Sequence, residues 1–442
     1  MSSKTKTTAT KVEAKVAGAS SSKARQKGEQ DAPTTLVPKL RFPEFRKAAG
    51  WEEKLLAPYL QDCSGRVPSD TELPIYSSTR DGLKRQDAYF DGRVLQNNND
   101  YGVVPPDCFV YRHMSDDGSF KFNINETGGN IAVSKEYPVF RTKGLNSRFL
   151  LAILNEGHDF KQFALSQKAG GTRTRLYFSR LREWQTLLPL PAEQQKIAEC
   201  LSSVDELIAA QARKLDALKT HKKGLMQQLF PREGETQPRL RFPEFLNAGE
   251  WDEKALAEIV VVASGQVNPT QTPYSGFPQI GSENIESNTG KLVNVRSAGD
   301  KGVISGNYVF DENDVLYSKI RPTLNKVAAP DFTGICSADI YPIRPADSGL
   351  LRSYLLYLLL SEKFLEYAIR NSERGKIPKI NRDGLLTYVA MIPSPAEQQR
   401  IASCLTSLDD LITAHTQKHA ALKTHKQGLM QQLFPSPEEL EA

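Results

Sequence analysis

The chain has 442 residues, which is more than one ordinary hydrophobic core accommodates and indicates two or three domains. The net charge of +5 does not by itself indicate a nucleic-acid partner, because residues 1–34 carry seven basic and three acidic side chains and leave only about +1 for the rest. Five cysteines without a CxxC pair argue against a disulfide or zinc framework, and the longest apolar run is far shorter than the ~20 residues of a membrane span, so we expect a cytoplasmic protein.

The first segment, residues 1–34, is rich in Ser, Thr, Ala and Lys and has no apolar periodicity. This composition is typical of a disordered tail. The segment could add non-specific affinity for DNA, but a solvated leader is the better interpretation of such a charge run.

The remainder of the chain repeats one plan twice. PKLRFPEF at residues 38–45 recurs as PRLRFPEF at 238–245, residues 191–208 match 395–412 at 13 of 18 positions, and residues 219–231 match 423–435 at 12 of 13. Between these blocks the two halves diverge. We therefore predict module 1 (residues 35–190), a constant segment (191–231), module 2 (232–394, opening with a repeated linker at 232–250), a second constant segment (395–435) and a short tail (436–442).

Each module mixes strand-like runs, such as residues 108–111 and 315–317, with turn clusters and one helical stretch, which predicts a mixed α/β fold. Both modules contain loops rich in side chains that can contact phosphates or base edges. A single basic loop is more often simply solvated. The candidate DNA-binding residues are Thr79, Arg80, Lys84, Arg85, Tyr111, Arg112, Thr172, Arg173, Thr174 and Arg175 in module 1, and Ser318, Lys319, Arg321, Asn325, Lys326, Lys376 and Lys379 in module 2.

The two constant segments are predicted to be long helices, because each begins with Pro-Ala-Glu-Gln-Gln and contains no further proline until its last residue. Apolar residues recur at spacings of four and three, which form a heptad seam. The predicted seam residues are Ile197, Leu201, Val204, Ile208, Leu215, Leu218, Leu225 and Leu229 in the first helix, and Ile401, Leu405, Leu408, Ile412, Leu422, Leu429 and Leu433 in the second.

Polar residues interrupt both seams at equivalent places, Gln211 with His415 and Lys222 with Lys426, as residues that select register do. Helices of this length could dimerise between chains. Two copies within one chain favour an internal antiparallel pair, about 55 Å long at 1.5 Å per residue, with a pseudo-twofold axis. The predicted fold is thus α+β, with two mixed α/β modules separated by two antiparallel coiled-coil helices.

Catalytic and cofactor motifs are missing from the sequence. There is no GxxxxGK[ST] loop, no GxGxxG after a strand and no HExxH. His415 and His419 are spaced i, i+4, but both fall on the seam, so we expect a structural role and no metal site. No arrangement of His, Cys and Asp residues for nucleophilic catalysis can be recognised in the sequence.

The repeated motifs resemble those of specificity subunits of Type I restriction–modification systems. The resemblance lies in the two helices that open PAEQQxIA and end GLMQQLFP, in YSSTRDGL at residues 76–83, and in DVLYSKIRP at 314–322. It implies that each module is a target recognition domain for one half of a bipartite DNA site. It further implies that the helices form a spacer on which two modification subunits dock and methylate adenine with S-adenosylmethionine. Restriction subunits that use ATP and magnesium would join them, while this chain itself would be non-catalytic and would bind no cofactor.

Two other functional classes remain open from the residues alone. A coiled-coil adaptor that joins two protein-binding modules would also have a polar seam and a nearly neutral body. A self-contained nuclease with scattered carboxylates would lack recognisable motifs.

Overall fold

The structure, a computed structural model, describes residues 35–89, 100–168, 173–373 and 375–435. The predicted tails at 1–34 and 436–442 and the candidate residue Thr172 lie outside the described residues. The contacts divide the chain into two compact units. Unit 1 contains the described residues up to Ala198 together with those from Met430 onward, and unit 2 is Glu199–Leu429. Unit 2 therefore includes module 2 and most of both long helices.

Module 1 is built from short antiparallel strands. The strands are β1 (Thr35–Leu36), β2 (Trp51–Leu55), β3 (Leu60–Asp62), β4 (Gly65–Val67), β5 (Tyr76–Thr79), β6 (Gly82–Arg85), β7 (Tyr101–Val104), β8 (Phe109–Tyr111), β9 (Met114–Ser115), β10 (Phe122–Ile124), β11 (Ile131–Ser134), β12 (Val139–Thr142), β13 (Thr174–Arg175) and β14 (Gln185–Leu188). They form sheets in the orders β1-β2-β14, β10-β8-β12-β3 and β11-β7-β4, with two-stranded ribbons β5-β6 and β13-β9.

Short helices complete module 1. They are α1 (Gln86–Tyr89), α2 (Ser147–Glu156), α3 (His158–Ser166) and α4 (Phe178–Arg182), and α2 packs against both α3 and strand β10. Aromatic side chains fill the core: Phe109 stacks on Phe140 with ring centroids 4.8 Å apart, and Tyr111 lies 4.4 Å from Phe122. Such rings bury a large apolar area each, so module 1 has a core of its own.

Module 2 repeats much of this sheet arrangement. Its strands are β15 (Asp252–Ala255), β16 (Val260–Val262), β17 (Pro278–Ile280), β18 (Arg296–Ser297), β19 (Asn307–Phe310), β20 (Val315–Ser318), β21 (Val327–Ala328), β22 (Gly334–Ser337), β23 (Ile340–Pro345) and β24 (Val389–Ile392). They form the sheets β15-β24, β16-β23-β20-β21 and β18-β17-β22-β19, and the β17–β22 pair is parallel. The sheets β15-β24 and β16-β23-β20-β21 have the same chain order as β2-β14 and β3-β12-β8-β10 of module 1, whereas the third sheet differs in its outer strands.

The two long helices flank module 2 in the chain. The helix of the first constant segment, α5 (Pro191–Leu229), precedes the module, and the sister helix, α11 (Pro395–Leu433), follows it. The helices of the module itself are α6 (Leu256–Ile259), α7 (Ala298–Lys301), α8 (Arg352–Leu360), α9 (Glu362–Arg370) and α10 (Arg382–Leu386). Helix α8 is apolar on nearly every face and is buried, as expected for a helix inside a domain.

Within unit 2 the two long helices are antiparallel, as predicted. Lys222 of α5 contacts Asp409 of α11, whereas Asp205, nearer the start of α5, contacts Lys426, nearer the end of α11. Lys222 and Lys426 are repeat equivalents, and so are the two aspartates. One kind of ion pair is therefore formed twice, as a pseudo-twofold axis across the helix pair requires.

The axis passes close to Gln211 and His415, which are also repeat equivalents. The Gln211 amide nitrogen lies 2.6 Å from His415 Nδ1 and donates to the His415 carbonyl oxygen at 2.9 Å. These polar seam residues are half-buried or buried and satisfy each other, so they set the register without leaving an unpaired donor.

The ends of the predicted seam pack differently from its middle. Ile401 and Leu405 of α11 and Leu229 of α5 belong to the hydrophobic core of module 2, together with Trp251 and Tyr354. The interpretation of these residues as pure helix–helix contacts is therefore incomplete. Where the apolar seam extends beyond the helix–helix contact, it is buried against the domain that the helix flanks, because its heptad face remains apolar there.

Candidate nucleic-acid interface

The β5–β6 hairpin presents the first predicted group of module 1. Gly82 has a φ of +109° and closes the turn, and the Thr79 hydroxyl donates to the Gly82 carbonyl at 2.8 Å. Asn123 of β10 donates to the Ser78 hydroxyl and to the Thr79 carbonyl, at 2.8 and 3.1 Å. The backbone on either side of Arg80 is thereby fixed, although the arginine side chain is 68% exposed.

A turn at residues 116–118 meets this hairpin. Asp117 accepts a hydrogen bond from Arg80 Nη2 at 2.6 Å, and Asp116 accepts one from Arg173 Nε at 2.8 Å. Hydrogen bonds from the Ser119 N–H, the Ser115 hydroxyl and Arg80 hold the pKa of Asp117 well below its usual range. The structure thus brings Arg80 and Arg173, which are 93 residues apart in sequence, to the same acidic turn.

Other predicted residues of module 1 have different surroundings. Lys84 pairs with Asp81 at 3.3 Å and Arg85 with Asp87 at 2.7 Å, both within three residues along the chain. Arg112 and Arg175 are exposed.

Two of the predicted DNA contacts in module 1 are internal. The Tyr111 side chain is fully buried and its hydroxyl donates to the Leu176 carbonyl at 3.0 Å, while Thr174 is 2% exposed within the β9–β13 ribbon. A side chain that the core encloses cannot reach a base edge, so we remove both from the predicted interface.

In module 2 the two predicted loops come together through their backbones. Ile320 forms a bridge with Lys379, the Ile380 N–H donates to the Lys319 carbonyl at 3.0 Å, and the Arg321 N–H donates to the Pro378 carbonyl at 2.7 Å. Lys319 lies 5.2 Å from the centre of the Tyr341 ring. The sequence could not indicate that these loops, almost sixty residues apart, form one surface.

Arg321 occupies an unusual position on this surface. Its backbone is left-handed, with φ 48° and ψ 62°, although it precedes a proline and is not glycine. Such a conformation costs about 1–3 kcal/mol and persists only where the surroundings enforce it. The side chain is exposed and has no hydrogen-bond or ion-pair partner among the described residues. Lys376 and Lys379 are also exposed, and Lys379 pairs with Glu373 at 3.4 Å.

Three predicted contacts of module 2 point inward. Ser318 is buried against Ser282, with the two hydroxyl oxygens 2.9 Å apart. Asn325 is 5% exposed and donates to the Leu360 carbonyl, and Lys326 donates to the Ser282 carbonyl. Because these groups stabilise the loop from within, we also remove them from the predicted interface.

The repeated PxLRFPEF motif has a function that sequence reasoning missed. Arg41 donates from Nε and Nη2 to both oxygens of Glu193, at 2.8 and 2.7 Å, and Arg241 makes the same two bonds to Glu397. Each arginine also donates to two backbone carbonyls. The motif before each module is thereby fastened to the first turn of the helix after it. The sequence did contain a signal for this contact, because the motif with the arginine and the helix start with the glutamate both recur at an offset of about 200 residues.

The same motif also binds a helix end. The Leu240 N–H donates to the Gln228 carbonyl of α5, and the Leu40 N–H donates to the Gln432 carbonyl of α11. Phe434 packs against Phe149 of α2 in unit 1, with centroids 5.5 Å apart, just as its equivalent Phe230 packs on Tyr354 of α8 in unit 2. The end of α11 therefore meets module 1 as the end of α5 meets module 2.

A second stripe, on the outside of the long helices, is identical in both copies. Its spacings are four, three, four, three and four residues, and each side chain is exposed. The stripe consists of Ser203, Leu207, Ala210, Lys214, Ala217 and His221 on α5 and Ser407, Leu411, Ala414, Lys418, Ala421 and His425 on α11. Leu207 and Leu411 are 55% and 48% exposed. Other exposed positions differ between the copies, such as Arg213 with Gln417.

Within the described residues no helix is long and apolar enough to cross a membrane. The same part of the chain contains no group of three or more His, Cys, Asp or Glu side chains arranged to hold a metal ion.

The sequence matches the family described as Type I restriction modification DNA specificity domain over residues 109–220 and again over 248–424. The specificity subunit of Type I restriction enzyme EcoDI from Escherichia coli is 28% identical in an alignment of 237 positions, which covers 48% of this chain and 52% of that protein. This chain thus spans about half the length of that relative. The putative Type I restriction enzyme MjaX specificity subunit of Methanocaldococcus jannaschii is 23% identical over 75% of this chain and 80% of that protein.

Solved structures share the fold. The S subunit of a Type I restriction–modification system from M. genitalium superposes with a TM-score of 0.57 at 12% identity, over 91% of this chain and all of that one. A chain from a study of complex assembly and conformational transition of the type I R-M system gives 0.51 at 17% identity, over 88% and 98%. The predicted fold is thereby confirmed. Since the family match covers more than half of the sequence, the chain belongs to the family of Type I restriction–modification specificity subunits.

Proposed function

We propose that this chain is the DNA-reading subunit of a Type I restriction–modification complex, in which module 1 and module 2 each read one half of a bipartite site. The observation that carries the proposal is the contrast within the duplication. The helices and the motifs that bind them are nearly identical, whereas the modules share their main sheets but differ in sequence and in surface loops. Two different readers on one symmetric frame fit a target with two unlike halves.

Exposed cations of both modules support a nucleic-acid partner. Arg80 and Arg173 in module 1, and Arg321, Lys376 and Lys379 in module 2, lie at loop tips whose backbones are held by hydrogen bonds. Arginine can bind two guanine acceptors at once, and lysine can neutralise phosphates. These residues are the DNA contacts that we retain from the sequence predictions. The same role remains a prediction for Arg112, Arg175, Lys84, Arg85 and Lys319.

The outer stripe supports docking of two copies of one partner. Exposed residues that make no contact are free to diverge, yet this stripe is the same on both helices. An exposed leucine flanked by alanines is suited to packing against a partner helix. We assign the stripe to the two modification subunits, which would bring S-adenosylmethionine and methylate adenine. Restriction subunits would bring the ATP- and magnesium-dependent activity, and this chain would contribute no catalytic group.

Mapping N6-methyladenine in cells that make this chain with its partner subunits tests the central proposal. The expected result is a two-part motif with a fixed gap. Exchanging residues 51–180 for module 1 of another specificity subunit should change one half of that motif and leave the other half and the gap intact. A continuous motif, or changes in both halves, would contradict the assignment of one half-site to each module.

The adaptor hypothesis gives a different result in a binding assay. The reconstituted complex should bind duplex DNA with an affinity that falls steeply as salt rises, because phosphate contacts release counterions. An adaptor that joins two protein-binding modules would bind no duplex at any salt concentration.

Introducing a negative charge into the stripe tests its assignment to the modification subunits. Leu207→Glu and Leu411→Glu should each reduce the number of bound modification subunits from two to one, and the double variant should bind none, as measured by native mass spectrometry. Gln417→Glu, at an exposed position that differs between the copies, serves as the control and should retain two. Full occupancy of the double variant would rule out the stripe as the docking surface.

A further inference from the structure

We propose that Asp116 and Asp117 are positioning residues that aim Arg80 and Arg173 at guanine bases in the half-site of module 1. The inference rests on the proposed function and adds which side chains set its sequence preference. It starts from the hydrogen bonds at the turn formed by residues 115–119, which we call the acidic turn.

The acidic turn is rigid. Asp117 Oδ1 accepts from the Ser115 hydroxyl at 2.8 Å and from the Ser119 N–H at 3.0 Å, which leaves Oδ2 for Arg80. Gly118 has a φ of +78°, and a Cβ placed there would lie 2.6 Å from a Leu165 methyl group. The positive φ therefore favours glycine at this position of the turn.

The arginines come to this turn from two separate loops, and each loop is held close to its arginine. Asn123 binds the Thr79 carbonyl next to Arg80, and Thr174, next to Arg173, pairs with Ser115 in the β9–β13 ribbon. Each arginine is therefore held at its backbone and also at one nitrogen of its guanidinium group. This differs from the pairs Lys84–Asp81 and Arg85–Asp87, which join neighbours along a single stretch of chain.

The remaining donors can still serve a ligand. Arg80 bonds to Asp117 through Nη2 and Arg173 to Asp116 through Nε, and a guanidinium has five N–H donors in a fixed plane. A guanine presents two acceptors, O6 and N7, to such a plane in the major groove. An arginine side chain otherwise loses considerable rotamer freedom on binding, so a carboxylate that holds it in advance reduces that cost.

The aspartates also make a phosphate the less favourable partner. Their side chains are 69% and 50% exposed beside the two arginines, so a phosphate oxygen at the same place would face two negative charges. A neutral base edge does not. The acidic turn thus favours contact with bases over contact with the DNA backbone.

The test uses Asp117→Asn and Asp116→Asn in the assembled complex. Asparagine can keep the bonds from Ser115 and Ser119, but it can present an amide donor where Arg80 needs an acceptor. Glu183→Gln is the matched control, since it removes the same charge from an exposed pair with Arg180 in the same module, and Arg180 is not a predicted DNA contact. Affinity is measured for the cognate duplex and for duplexes altered at each base pair of either half-site.

Discrimination at one or two G·C pairs of the module 1 half-site should fall roughly ten-fold in Asp117→Asn, the size of a lost bidentate base contact. Discrimination at the other half-site should stay constant. Arg80→Gln should give the same loss, and the double variant should lose no more than Arg80→Gln alone. A purely structural role of Asp117 would give additive losses.

If Asp117→Asn and Asp116→Asn discriminate as well as Glu183→Gln, the inference is wrong while the proposed function stands. If the unaltered complex prefers no duplex sequence, the proposed function fails first.

Discussion

The two ion pairs across the helix pair give a prediction with an internal control. Lys222–Asp409 and Lys426–Asp205 are repeat equivalents with N–O distances of 2.6 and 2.8 Å, and both lysine side chains are largely buried, at 9% and 12% exposure. The aspartates differ, since Asp409 is 19% exposed and Asp205 is 54% exposed. We therefore expect Lys222→Met to destabilise the helix pair more than Lys426→Met.

The magnitude follows from what each substitution leaves behind. Removing the partner of a buried carboxylate costs about 3–5 kcal/mol, whereas an exposed carboxylate is solvated and loses about 0–1 kcal/mol. Asp409 keeps a hydrogen bond of 2.8 Å from the Tyr357 hydroxyl, which reduces its loss. The two variants should therefore differ by about 2 kcal/mol in the free energy of opening the helix pair. This is roughly a thirty-fold difference in the equilibrium constant for opening.

Amide hydrogen exchange is the suitable assay, because a chain with several domains does not unfold in one two-state step. Exchange of the slowest amides in residues 204–222 and 408–426 should be roughly thirty-fold faster in Lys222→Met than in Lys426→Met. A further substitution, Asp409→Asn in the Lys222→Met background, should recover part of the loss. Equal exchange in the two lysine variants would refute the argument that the burial of the remaining aspartate decides the cost.

Three other results are expected. Arg41→Lys and Arg241→Lys should each lower the melting temperature of the affected unit in calorimetry by several degrees, because lysine cannot form both bonds to the buried glutamate, whereas Arg180→Lys at an exposed pair should not. Desolvation and the nearby Lys214 and Lys418 lower the pKa of His415. The helix pair should therefore be most stable above about pH 6.5, the ordinary pKa of histidine, and lose stability as the pH falls below it. Stability measured by amide hydrogen exchange should not show this pH dependence in His415→Gln. Deleting one heptad from each helix, residues 212–218 and 416–422, shortens the pair by about 10.5 Å, so the gap in the methylation motif should shrink by about three base pairs, and an unchanged gap would contradict a spacer role.

The sequence determined the frame of this protein. Heptads are a local pattern with a period set by helix geometry, so the seam from Val204 to Leu225 could be predicted, as could the antiparallel pair from its two copies. The interruption of the seam by Gln211 and Lys222 likewise indicated where register is set, and both residues make contacts across the pair. The repeated motifs also indicated the family.

Only the tertiary structure decided which donor-rich residues form a surface. Tyr111 and Asn325 have the right chemistry but lie inside, because strand pairing and burial depend on contacts that no local pattern records. The same is true of the arginines at the acidic turn, whose partners are 37 and 57 residues away. In the sequence Asp117 belongs to an ordinary turn cluster, and its contact with Arg80 exists only because the fold brings two distant loops together.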